Sequence, residues 1–259
     1  MEQRTAWEIF KREVEAPFAG WNFQRLTQTG RMQEAPLTWN YASIVKALMN
    51  GIDSMLDMGT GGGELLASLQ PHPARTFATE GYQPNVGVAR ANLAPLGIEV
   101  VEADGEDVLP FADRTFDLII NRHESYLPSE LSRLLKPTGT FVTQQVGGQD
   151  NLELNRLLGA PIPPDYLHWN LAFAAAELQD AGFVILQQKE EMSFTRFYDV
   201  GAIVYYLKAI EWQIRDFAVE QYAEALLALQ KKMEPIGYVD IPNHRFMILA
   251  KLGSYSVNK

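Results

Sequence analysis

Four glycines fall within five positions, at Gly59, Gly61, Gly62 and Gly63, two residues beyond Asp57 and immediately before Glu64. Such a turn lets a ligand lie directly on backbone, because side chains there would fill the space the ligand needs and some of the dihedrals are open only to glycine. Glu80 ends a second apolar run about 20 residues further on, where a carboxylate can accept both hydroxyls of a ribose. Asp104 and Asn121 follow two more apolar runs. A dinucleotide site read as G-x-G-x-x-G from Gly59 would need its third glycine where Glu64 stands. An anion in the first turn of the helix would repel a pyrophosphate. An adenosyl ligand without phosphate meets no such conflict.

The elements that must position these residues follow from hydrophobic period and turn residues. Apolar runs at 54–57, 75–79, 98–102, 116–121, 140–146, 183–192 and 245–252 read as seven strands. Helical stretches at 64–70, 84–93, 129–135 and 171–181 alternate with them, ended by Pro71, by Pro137 and Gly139, or by similar breakers. The alternation predicts an α/β fold: a Rossmann-like, doubly wound, mostly parallel sheet of seven strands with its ligand at the carboxyl ends. Asp57, Glu80, Asp104 and Asn121 all fall at such ends, which implies one crevice.

Residues 1–50 read as a helical N-terminal cap. Their aromatic residues Trp21, Phe23, Trp39 and Tyr41 either pack these helices onto the domain or wall a pocket, and packing is the commoner use of buried aromatics. Residues 51–146 form the binding core. Residues 147–259 form a substrate-side half with a helical insertion at about 194–240 before the last strand, all within a single domain. The helices expected after Asp199 and over 217–233 are amphipathic; they pack on their own domain or make a homodimer contact.

Composition removes several classes of function. The 259 residues carry a net charge of −10 with 47% apolar residues, which suits a globular chain and opposes binding to nucleic acid or an anionic membrane. No apolar run is long enough to span a membrane, and residues 1–15 lack a signal-peptide core, so a cytoplasmic location is expected. There is no cysteine, hence no disulfide, thiolate metal site or thiol nucleophile. His72, His168 and His244 have no metal-ligand spacing, and no metal is expected.

In the register Asp57-x-Gly59-x-Gly61-x-Gly63 the turn resembles the first motif of the class I S-adenosylmethionine-dependent methyltransferases. The resemblance continues in order through ATEGYQP, VVEADGEDVLPFADRTFDLIINRHE and LSRLLKPTGTFV, covering about residues 56–142. It implies a seven-stranded sheet with the last strand antiparallel, S-adenosyl-L-methionine as cofactor, and in-line methyl transfer. Gly59, Thr60, Gly61 and Gly63 would cradle the methionine and ribose portion, with Asp57 orienting the turn or bonding the amine. Glu80 and Gly81 would meet the ribose, and Asp104, Gly105 and Glu106 the adenine, with Asn121 at the edge of the same site.

The acceptor would face the residues after Asn121. His123 or Glu124 could act as a general base for a hydroxyl of high pKa, although lining the pocket is the plainer role for His123. Arg122, Tyr126 and Arg196 are candidate substrate contacts; Arg196 could equally make a structural pair. The stretch is not the N-P-P-Y type of amino-methylating nucleic-acid enzymes, and with the acidic charge this favours a small-molecule acceptor over RNA or protein. A non-catalytic adenosylmethionine-binding protein and a nicotinamide-dependent oxidoreductase are the alternatives of other classes.

Overall fold

A computed structural model describes residues 2–18 and 23–253, so Trp21 lies outside the described residues. Its sheet has eight strands: β1 (Met32–Glu34), β2 (Ser54–Met58), β3 (Arg75–Glu80), β4 (Glu99–Glu102), β5 (Phe116–Arg122), β6 (Leu135–Val146), β7 (Phe183–Phe197) and β8 (Val239–Leu252). Their order is β1-β7-β8-β6-β5-β2-β3-β4. Parallel pairing joins β2 to β3 and β5, β3 to β4, and β5 to β6, while β8 runs antiparallel to β6. The expected antiparallel last strand is therefore present.

The count of seven strands is corrected to eight. The added strand, β1, is three residues long and lies in a stretch rich in turn residues, too short to show alternation. It exists because β7 continues to Phe197, five residues past its expected end, and offers Thr195–Phe197 for antiparallel pairing with Met32–Glu34. β8 likewise begins at Val239 rather than at residue 245. A helix at Leu152–Leu158, within what reads as a long connection, was also not anticipated; it follows Asn151 in the left-handed region and ends at Gly159.

The chain divides into two compact units. The unit of residues 38–146, 169–190 and 245–259 holds β2 to β6, the first part of β7 up to Glu190 and the last part of β8 from Arg245. Strand β2 is buried at every position, as a parallel strand covered on both faces must be. One apolar cluster joins Leu56, Phe116, Phe141, Leu178 and Phe246; another joins Met55, Leu66, Leu93, Ile120 and Val142 on the helices Tyr41–Leu48 and Gln83–Leu93.

The other unit comprises residues 1–37, 147–168 and 191–244. Its helices Glu2–Glu15, Val200–Ala209 and Ala223–Met233 bury Phe10, Ile203, Leu207, Leu226 and Leu229 together with Leu26, Met32 and Phe197. Arg31 bonds both carboxylate oxygens of Asp199, at 2.6 and 2.8 Å, and reaches the buried Glu13 at 3.0 Å. That single cation ties the first helix to the cap of the helix Val200–Ala209. No helix among the described residues is long and apolar enough to cross a membrane.

Candidate functional site

Parallel pairing sets the carboxyl ends of β2, β3, β4 and β5 side by side, with Met58 opposite Asn121 and Glu80 opposite Glu102. The glycine turn after β2 holds Gly59, Gly61 and Gly63 at φ of +64°, +63° and +83°, values that other residues adopt at a cost of about 1 kcal/mol each. Internal bonds shape the turn. The Thr60 hydroxyl donates to Asp57 at 2.7 Å, the Thr60 N–H to the Thr79 carbonyl at 2.9 Å, and the Gly61 N–H to Glu80 at 2.6 Å. Glu80 also accepts from the Tyr82 N–H at 2.9 Å, so one carboxylate links the turn to the end of β3.

Two further loops come within touching distance of backbone. A Cβ on Gly59 would lie 2.5 Å from the Glu124 side chain. One on Gly81 would lie 3.1 Å from the Asp104 Cα, and one on Gly105 would collide with the Ser125 carbonyl. The loops at 59–63, 80–82, 103–106 and 123–125 thus converge so closely that glycine is required at their contacts.

Electrostatics at this edge are strongly negative. Burial raises Asp57 to about 7, against the Thr60 bond and the Arg122 charge, with Glu80 adding to the rise. Glu80 is raised by burial and by Asp104, although two N–H bonds oppose this. Glu124 is raised by burial and by Asp104 and Glu80, with Ser125 opposing. Three carboxylates whose ionisation is penalised, with Asp104 beside them, favour a ligand that brings positive charge and disfavour phosphate. Glu64 opens the helix after the turn with its carboxylate set over Gly62.

His123 follows β5 in a left-handed conformation, φ +63°. Its Nε2 lies 3.1 Å from the Gln144 side-chain nitrogen, and Gln144 Oε1 accepts from the Trp39 indole at 2.9 Å. Desolvation by the surrounding loops, and then the cations Arg245 and Arg122, hold its pKa well below the ordinary value, although the residue is exposed at the surface. Asn121 is wholly buried; its side-chain oxygen accepts from Thr143 and Gln145, and Gln145 continues to the Glu124 carbonyl at 2.9 Å.

The model of the methyltransferase-domain family matches residues 56–143, which contain every one of these loops. Residues 56–143 thus carry a methyltransferase domain. Protein-L-isoaspartate O-methyltransferase of Azoarcus sp. (strain BH72) is 29% identical over 119 residues, 44% of this chain and 55% of that protein. The chain thus matches about half the length of that curated relative. A putative methyltransferase from Bacillus halodurans superposes with a TM-score of 0.58 at 17% identity, over 82% of this chain and 99% of its own. A SAM-dependent methyltransferase from Aquifex aeolicus does so with a TM-score of 0.50 at 16% identity, over 95% and 97%. At such identities these structures speak to the fold.

The methyltransferase domain brings together most of the residues picked out from sequence. Asp57, Gly59, Thr60, Gly61, Gly63, Glu80, Gly81, Asp104, Gly105 and Glu124 converge as described, and Glu106 caps Asp104 through its own N–H at 3.1 Å. Asn121 faces inward, and its amide positions the 123–125 loop. Tyr126 is buried, edge-on to Phe141, and its hydroxyl has no hydrogen-bond partner among the described residues. Arg196 belongs to the other unit, where it is paired with both Asp240 oxygens at 2.7 and 2.8 Å and lies over the Tyr238 ring. Trp39, weighed above as packing or a pocket wall, bonds Gln144; Gln144 and Gln145 were missed as site residues. The signal was two consecutive amides in an otherwise apolar strand, a pattern that burial tolerates only when both are hydrogen-bonded.

Proposed function

We propose that this protein transfers a methyl group from S-adenosylmethionine to a small-molecule acceptor. The observation that carries the reading is the glycine cradle closed by Glu80, with Asp104 and Glu124 beside it: a backbone surface ringed by carboxylates, suited to an adenosyl group that brings cations and no phosphate. When bound, the cofactor supplies an electrophilic methyl on a sulfonium. The chain's own residues then have to bind, align and exclude water. Gly59 to Gly63 offer backbone to the methionine and ribose portion, with Asp57 shaping the turn through Thr60. Glu80 takes the ribose hydroxyls in this reading and Asp104 the adenine side, next to Gly81 and Gly105. Acceptor selection falls to residues 122–126 beyond β5.

A protein acceptor is the second reading, favoured by the similarity to an enzyme named for protein L-isoaspartate. The net charge of −10 weighs against RNA. Calorimetric titration with S-adenosylhomocysteine and with NAD tests the cofactor assignment. Binding of the former, weakened about tenfold or more in Glu80→Ala and Asp104→Ala, is expected. NAD binding in its place, or unchanged affinity in both variants, would overturn the site map.

A further inference from the structure

Hydrogen-bond direction fixes the state of His123. An indole N–H only donates, so the Gln144 atom it meets at 2.9 Å is the oxygen, and the other end of that amide is the NH2 group. That group lies 3.1 Å from His123 Nε2, which must therefore accept. The imidazole is left neutral with its proton on Nδ1. The tautomer makes His123 a hydrogen-bond donor toward any ligand; its only basic nitrogen is already occupied by Gln144. Desolvation, and after it the charges of Arg245 and Arg122, favour the same neutral ring.

Arg122 stands beside it at the end of β5, exposed, with its charge felt at both Asp57 and His123. Among the described residues its guanidinium makes no hydrogen bond or ion pair, while its backbone lies in the β5–β6 ladder. An unpaired guanidinium whose charge reaches an imidazole with a fixed N–H donor offers the two groups that recognise a planar oxyanion. Four carboxylates share the same strand ends, and their repulsion scales with the charge of the incoming anion, so a monoanion is favoured over a phosphate dianion. We propose that the methyl acceptor carries a carboxylate, seated by the Arg122 guanidinium and the Nδ1–H of His123. This rests on the methyl-transfer reading of the same site.

The test uses the full chain saturated with S-adenosylhomocysteine and titrated with benzoate, its neutral isostere benzamide, and phenyl phosphate. Benzoate is expected to bind at least about tenfold more tightly than benzamide and more tightly than phenyl phosphate. Arg122→Gln and His123→Leu should each erase the preference, while Arg122→Lys keeps part of it. A nitrogen-15 NMR spectrum at pH 7 should show Nδ1 protonated and Nε2 not. Equal binding of benzoate and benzamide, tighter binding of phenyl phosphate, or a protonated Nε2 would overturn the proposal while leaving the donor site intact. Failure of S-adenosylhomocysteine to bind the unmodified protein would instead remove the methyl-transfer reading beneath it. Melting curves and cofactor isotherms of the variants separate loss of the anion site from loss of fold.

Discussion

The Glu80 carboxylate accepts from the Gly61 N–H at 2.6 Å, so the residue that ends β3 also fixes the middle of the turn after β2. In Glu80→Ala the Gly61 amide loses its partner, and hydrogen exchange at that amide should accelerate by about tenfold or more while amides of β2 keep their protection. Unchanged exchange at Gly61 would mean the turn holds itself without the carboxylate.

Asp57 should make the protein less stable as pH rises. Its folded pKa, raised to about 7, lies above the unfolded value of 3.8, so the folded state keeps a proton that the unfolded chain releases. Stability therefore falls across that window. Asp57→Asn, which can still accept from Thr60, should gain on the order of a few kcal/mol over the native chain at pH 8 and nothing at pH 4. Urea denaturation at both values measures this, and a pH-independent difference would contradict it.

Arg133 pins the segment that follows Asp104. It bonds Glu130 and Asp113 and donates to the carbonyls of Leu109 and Phe111, while the buried Glu130 accepts from the Leu109 N–H at 2.9 Å. Removing one partner leaves the other charge uncompensated, so Arg133→Ala should cost about 3 kcal/mol. The double variant Arg133→Met/Glu130→Leu should cost less than the two single changes added together. Additive losses in a double-mutant cycle would show that the pair is not coupled.

Gly63→Ala combines two penalties. The residue has φ +83°, and an added Cβ would come within 2.8 Å of Leu93. A loss of about 2 kcal/mol or more is expected from backbone strain and overpacking together. Gly87→Ala, with open space around it and an ordinary helical backbone, should instead be neutral or stabilising by a few tenths. Thermal melts of the two variants settle the comparison.

The core strands were legible because each is a short apolar run ended by glycine, proline or an acid, and in a parallel sheet those ends share an edge. That logic suffices to put Glu80 and Asp104 beside the turn from residue order alone. Strand β1 was not legible, since three residues carry no period and their pairing depends on how far β7 extends. Nor could sequence show that Asn121 turns inward: residue type gives hydrogen-bonding capacity, and only the facing Thr143 and Gln145 decide where it is satisfied. The role of His123 was open for a related reason. Its tautomer is set by Trp39, 84 positions away in the chain.

The contact between Glu124 and Gly59 has a kinetic side. The Glu124 side chain occupies the space directly above the Gly59 backbone, so a ligand that lies on that backbone first has to wait for a rotamer change. Stopped-flow association should then show an observed rate that levels off as ligand concentration increases, with a plateau set by the side chain and abolished in Glu124→Ala. In that sense a residue that touches the cradle also sets its clock.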